Sequence, residues 1–566
     1  MSEGIAKILS GLLVLGMVAG VVPAVPGGTV HAKAEGESEP GVTAEQSEEN
    51  VPHTHCECGT GELSAGGHTY HHTTQTWTGI DDLSKITKKG EYYLTKDITI
   101  NSVWECPNSV ELCLNGHSIT RNAEATDGSF GGNAVIKINR NTSFALTDCQ
   151  KTVGTITHAE GVSGEGVYNA GFFIMYNGKI SGNNSSGVNA QSLFEMYDGM
   201  ICNNKTSDLG GGVYVSHLGE YEYNFEMYGG EISDNEAENG AGVFIGGKKV
   251  AMNGGIISRN KSTNDGGGVY NEDGTFEMSG GAITDNETKE YGGGVCNEDG
   301  TFEMSGGEIT RNKSEKNGGG VQHASQEPFK MSGTAKITNN TAISNGGGVL
   351  VARGYAITLG GEVEITGNKV GDNRDNNLYL GRETTVQTDS LTGKETIGVT
   401  TYNSPTDDSP VTITSNPASA GCFFSDNSAY EIGTNAVDGV VLKCKEKLPI
   451  VQDPVPNRFT YDGTEHAGIE LGENYIVASG TNSATDAGTY EVIIKPSAGK
   501  TWEDGTANEK TFNWEITKAS QNAPTGLVGE KPTTAGGSDG KITVVNENME
   551  YRKSGDSSYI DCTGKE

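Results

Sequence analysis

Basic side chains are scarce in this 566-residue chain: 40 Lys and Arg stand against 74 Asp and Glu, a formal net charge of −34. That deficit excludes nucleic acid and anionic lipid surfaces as partners, because either needs a basic patch. It favours solubility or calcium-rich surroundings, with weak Ca²⁺ binding as one expectation. Cysteine is also sparse. Ten residues follow no disulfide-framework spacing, so the fold is expected not to depend on disulfides. Cys106 with Cys113, and Cys422 with Cys444, are placed to pair across a loop, whereas Cys202 and Cys296 read as strand positions. No stretch beyond the N-terminus is apolar enough to span a membrane. A helical solenoid is excluded by the lack of helix-length apolar periodicity. There is no nucleophile elbow, phosphate loop or dinucleotide fingerprint; the GxGxxG-like runs are turn glycines.

Hydrophobic residues make up only 34% of the chain, yet 83 glycines fall at fixed offsets beside Phe, Met, Ile and Val, so a repeating architecture is expected rather than disorder. The triplet Gly266-Gly267-Gly268 returns at Gly292, Gly318 and Gly346, a period of 26 to 28 residues. Phe173, Phe194, Phe225, Val250, Phe276, Phe302, Phe329 and Ile357 share one column. Two residues later stand Met175, Met196, Met227, Met252, Met278, Met304, Met331 and Leu359. An Ile column follows (Ile180, Ile201, Ile232, Ile257, Ile283, Ile309, Ile337, Ile365), and three residues after each comes Asn, from Asn183 to Asn368.

Each repeat divides into three short β pieces, in one copy 269–270, 275–278 and 282–284. Alternation turns Phe276 and Met278 inward and Glu277 outward. Three strands per period make one coil, and coils stacked about 4.8 Å apart place Phe on Phe, Met on Met and Ile on Ile. The Asn column is expected to form an amide ladder at a left-handed turn. Asp234, Arg259, Asp285 and Arg311 alternate in sign just before it, which predicts a charge ladder. The fold class expected is all-β: a right-handed parallel β-helix followed by a smaller β-sandwich.

The flanks differ from the repeats. Residues 1–34 read as a signal peptide: Lys7, an apolar stretch over 8–22, then Ala32-Lys33-Ala34 as a cleavage site. The chain is therefore expected to be secreted or at the cell surface, with no membrane span after signal removal, and monomeric. An acidic linker follows over 35–52. Residues 53–77 carry His53, His55, Cys56, Cys58, His68, His71 and His72, imidazoles and thiols of the kind Zn²⁺ takes into a tetrahedral site. The β-helix is assigned to 78–447. Beyond it, 448–518 alternates apolar and polar residues between turn signals, an antiparallel sandwich with Trp514 in its core. Residues 519–566 read as a linker and the opening of a further β domain, cut short at the chain end.

These repeats resemble the glycine-rich parallel β-helix repeats of large bacterial surface proteins, within the pectate-lyase-like superfamily. Gly280-Gly281-Ala282-Ile283 followed by Asn286 is similar to the GGAI motif of polymorphic outer-membrane proteins, and 91–95, 112–119 and 144–157 are similar to the entry coils of such proteins. The motifs at 461–464 and 485–490 resemble those of bacterial immunoglobulin-like spacer repeats. The His/Cys segment is similar to a lead-in that accompanies such β-helices, which implies a module. The resemblance implies an adhesin-like binding or structural protein, with loops 261–265, 287–291, 313–317 and 341–345 presented to a host or environmental glycan or protein.

The same superfamily contains polysaccharide lyases and glycoside hydrolases, which is the alternative. Its best candidates are Glu272, Asp273, Glu277, Glu298, Asp299 and Glu303, with Glu277 and Glu303 about one strand spacing apart, close to the ~5 Å of a retaining carboxylate pair. Those acids are copies of the repeat, however, and an active site breaks a repeat because its groups need different environments. No catalytic residue is assigned, and the non-enzymatic reading is preferred.

Overall fold

The computed structural model describes residues 54–56, 74–125, 130–216, 223–371, 373–520, 525–537 and scattered positions between 541 and 561. Glycine turns break each repeat into strands too short to do anything but wind round an axis. In one coil these are Val269–Asn271, Thr275–Met278 and Ala282–Thr284. Each pairs in parallel with its copy one coil on: Val269 with Val295, Phe276 with Phe302, Ile283 with Ile309. The Phe/Met ladder runs through 13 strands, from Thr78–Ile80 to Val386–Leu391. The Ile and Val ladders join in a second sheet of 24 strands. The chain is a parallel β-helix.

Its interior is the set of stacked columns. Phe276, Met278, Ile283 and Val269 are all essentially sealed from solvent. Phenylalanine rings stack with centroids 4.7 Å (Phe173–Phe194), 4.8 Å (Phe194–Phe225) and 4.5 Å (Phe302–Phe329) apart. Val250 separates the upstream stack from the downstream one. Between the inward residues, Glu277 and Glu303 are half-exposed. Each is paired with a lysine of a neighbouring coil, Lys249 at 2.7 Å and Lys330 at 2.7 Å.

The Asn ladder is present and has a direction. Asn260 donates from its backbone N–H (3.0 Å) and from Nδ2 (2.9 Å) to Oδ1 of Asn286, and Nδ2 also bonds the Ile232 carbonyl. Every member does the same toward the next coil, from Asn183 to Asn368 and on to Asn377. Backbone donation to Oδ1 fixes each amide's orientation, so the side-chain dipoles align. The negative end, Asn183 Oδ1, faces the His158 ring at 2.8 Å. At the positive end, Asn377 donates from its backbone N–H and Nδ2 to the half-buried Asp426 carboxylate, at 2.8 and 2.6 Å. Burial pushes the Asp426 carboxyl above its ordinary range, against the pull of these bonds.

Two details depart from expectation. The left-handed residue is the one before each Asn: φ is +57° at Asp234, +55° at Arg259, +58° at Asp285 and +55° at Arg311. The Asn amide must point along the axis to reach the next coil, so its predecessor absorbs the turn. Those charged residues form the expected ladder, with Arg259 gripping Asp234 through two bonds (3.0 and 2.9 Å) and Arg311 gripping Asp285 likewise. Secondly, each repeated coil carries a fourth strand where a loop was expected. Lys261–Ser262, Glu287–Thr288 and Lys313–Ser314 belong to a seven-stranded sheet, because the clamped Asn delivers the next residues in register.

The triplet glycines are there for space and turn. Gly292 has φ +67°, and a Cβ on Gly294 would lie 2.6 Å from the Gly320 carbonyl oxygen. A second internal ladder runs Asn271, Asn297, His323, the last accepting at Nδ1 from Asn297 Nδ2 at 3.2 Å. Burial pushes His323 down to about 4, so the ring is neutral at pH 7.

The last strand of the parallel solenoid is Phe423–Ser425. Val411–Thr414, Gly439–Cys444 and Tyr430–Asn435 then form an antiparallel sheet that lends Ile413, Val440 and Leu442 to the solenoid core and covers its open end. The C-terminal unit has its own core of Val492, Ile494, Trp502, Trp514 and Ile516. Its main sheet is four-stranded and not wholly antiparallel: Arg458–Thr460 runs parallel to Lys510–Thr517, while Gly488–Pro496 and Tyr475–Gly480 complete it antiparallel. Trp514 is buried as expected. No helix among the described residues is long and apolar enough to cross a membrane.

Candidate functional site

The middle residue of each Val strand points away from the interior. In successive coils these outward residues are Tyr168, Asn189, Tyr214, Phe244, Tyr270 and Cys296, in register. Their environments split in two. Phe244, Tyr270 and Cys296 are buried, with Leu209, Tyr214 and Tyr291 packed against them and Tyr214 stacked on Phe244 at 5.4 Å. Tyr168, Asn189 and Tyr214 are half-buried and form the floor of an open groove of about 780 Å³.

Loop length sets the split at Asn189, while nine residues still lead from Asn204 to Val213, just before Tyr214. Nine residues lead from Asn260 to Val269, and nine from Asn286 to Val295, but only five from Asn183 to Val188. The shortened turn has no residues left to form a fourth strand or a roof. Phe130, 88% exposed, stands at the groove's rim. Arg140, Glu165, Gln191 and Asp208 also line it. Gln191 Nε2 donates to Asn189 Oδ1 at 2.6 Å, and Asn189 Nδ2 donates to Glu165 Oε1 at 3.3 Å. Arg140 has no ion pair among the described residues. Burial and the Glu165 carboxylate push the Tyr168 phenol up; burial, Glu272 and Asp208 do the same to Tyr214. Both phenols stay protonated at neutral pH and keep a donor. Aromatic faces beside fixed amides and carboxylates suit a polyhydroxylated ligand, which has apolar C–H faces and hydroxyl edges.

The acids singled out from the sequence do not make such a site. Glu277 and Glu303 lie in register one strand apart, but each is tied to a lysine. Glu272, Asp273, Glu298 and Asp299 are exposed, with Glu298 accepting from the Tyr270 hydroxyl. Nearby Asp265 is pushed up to about 6 by burial, against the Tyr291 N–H that bonds it. Among the described residues, the group of three metal-type ligands with atoms within 4.8 Å of one another is Cys113, Asp148 and Cys149. Of the His/Cys segment, the backbones of His55 and Cys56 pair antiparallel with Gln75 and Thr74; His53, Cys58, His68, His71 and His72 lie outside the described residues.

The cysteine pairings expected from the sequence are absent from the structure. Cys106 donates to the Asn108 and Ser143 carbonyls, while Cys113 faces Cys149. Cys422 points to the Gly393 carbonyl and Cys444, the end of a cap strand, to that of Pro405.

The groove was missed because it lies in the weakest copies of the repeat. Its signal was the short Asn183–Val188 spacing. No family model, curated protein or solved structure matches the chain.

Proposed function

We propose that this chain is a secreted or cell-surface, adhesin-like binding protein of bacterial type, in which the β-helix is a rod and the groove over Tyr168, Asn189 and Tyr214 takes a glycan chain. The observation that carries this reading is the groove itself, where the repeat is broken and aromatic and hydrogen-bonding side chains replace the roof. Solenoid faces commonly serve as extended binding surfaces. The finer kinship, with pectate-lyase-like β-helices and with immunoglobulin-like spacers at 448–518, belongs to the same proposal.

A panel of immobilised polysaccharides tests it. Retention of the wild-type chain should fall about tenfold or more in a Tyr168→Ala/Tyr214→Ala variant, since each lost aromatic face removes roughly 0.5–1.5 kcal/mol. Equal retention by the two proteins would overturn the assignment. The same incubations, assayed for shortened products, address the hydrolase or lyase alternative, which Glu165 and Asp208 in the groove keep open. Product release abolished by Glu165→Gln would make the protein an enzyme.

The His/Cys segment enters as a separate zinc-binding module, on the density of its ligands. Reduced chain should hold close to one equivalent of zinc, lost in Cys56→Ser/Cys58→Ser; a negligible content unaffected by that change would leave the segment a linker.

A further inference from the structure

We propose that Cys113 and Cys149 are joined by a disulfide that staples two successive coils near the start of the β-helix. Cys113 ends the strand Ser109–Cys113, and its register partner on the next coil is Thr147. Cys149 follows two residues later, and the two Sγ atoms lie 3.6 Å apart. Bond formation needs them to close to about 2.05 Å, a shift within the reach of two side chains.

The residue between holds this geometry independently of the thiols. Asp148 Oδ1 accepts from the Gly116 N–H (3.1 Å) and the Gln150 N–H (2.9 Å), and Oδ2 from the Gly154 N–H (2.7 Å). Gly116 belongs to the coil of Cys113, so the carboxylate ties that turn to the turn bearing Cys149. The same bonds argue against a metal. Asp148 would be its third ligand, but both its oxygens are already committed to backbone amides. A disulfide asks nothing of Asp148.

Position gives the staple a purpose. The amide ladder begins only at Asn183, so the coils carrying Cys113 and Cys149 lack it. They also lie close to the N-terminal end of the described stack, and a solenoid opens first from its end coils.

Accessibility sets the order of steps. Cys113 is sealed, and the neighbouring Cys149 thiol, together with burial, pushes its ionisation up. Cys149 is half-exposed and reacts first. Its thiolate attacks one sulfur of a low-molecular-weight disulfide and expels one thiolate. Cys113 then gives up its proton and attacks Cys149 Sγ, expelling the second. Two protein thiols are oxidised by two electrons, and the external disulfide is reduced to two thiols. The inference stands on this geometry alone and does not depend on the groove.

The test uses the full chain, reduced with dithiothreitol or exposed to oxidised glutathione, then denatured, alkylated and digested without reductant. The oxidised sample should yield a peptide pair joined through Cys113 and Cys149, lighter by two hydrogens than its separated halves. Its melting temperature should exceed that of the reduced sample by several degrees, a difference absent in Cys113→Ser and Cys149→Ser. If either variant fails to fold, the peptide map of the wild-type chain decides alone. Full alkylation of both cysteines after oxidation, a link from Cys113 to Cys106, or zinc retained by reduced chain and lost in Cys149→Ser would each overturn the proposal.

Discussion

Replacing Met278 by Asp is expected to cost about 4 kcal/mol, because it leaves a carboxylate with no partner in a sealed apolar interior. Met278 is 1% exposed and sits between Met252 and Met304 of the adjoining coils. Packing there is close: a Cβ on Gly307 would lie 2.6 Å from the Met278 methyl. Nothing polar replaces the solvation that the new carboxylate would lose. Since each coil is stabilised by its neighbours, the damage spreads to the coils on either side. Urea unfolding followed by circular dichroism should show the midpoint falling sharply for Met278→Asp. Met278→Leu, which roughly conserves volume, should cost less than about 1.5 kcal/mol. An unchanged midpoint in the Asp variant would mean that this column does not face the interior.

A comparable loss is expected for Asn286→Ala, through hydrogen bonds. The substitution takes away the acceptor used by both the backbone N–H and Nδ2 of Asn260, and the donor bonded to the Ile257 carbonyl at 2.9 Å. All these groups are buried, so water does not replace the partner. Asn260 Nδ2 keeps the Ile232 carbonyl, so two buried groups are left unsatisfied, and at roughly 1–3 kcal/mol each the cost is about 2–6 kcal/mol. Hydrogen exchange should locate it, with the Asn260 amide and its neighbours losing protection first. Asp273→Ala, an exposed change in the same repeat, is the control and should stay within about 0.5 kcal/mol. If the two variants were equally stable, the ladder would be decorative.

The columns were legible because they are local. Strand alternation turned Phe276 and Met278 one way and Glu277 the other, and a near-constant period placed like residues over like. The same logic reached the Asp/Arg ladder, since Asp234, Arg259, Asp285 and Arg311 hold one offset from the Asn column. The columns also place Lys330 directly over Glu303, whereas Lys249 reaches Glu277 diagonally, from the position before the Phe column of its own coil. The acids looked like a candidate catalytic pair, when they are the outward half of two ion pairs.

What the sequence determined by itself was therefore the parallel β-helix, its interior and its amide ladder. All three follow from a repeat whose period matches one coil, so that residues a period apart must be neighbours. Only the tertiary structure decided the groove, the fourth ladder, the left-handed residue ahead of each Asn and the meeting of Cys113 with Cys149. The groove opens where five residues, not nine, follow an Asn. Cys113 and Cys149 are 36 residues apart, a separation that matches no column of the repeat. Contacts of that kind depend on how much chain each turn consumes before it returns to the axis, and that length is set by the folding of the turns themselves.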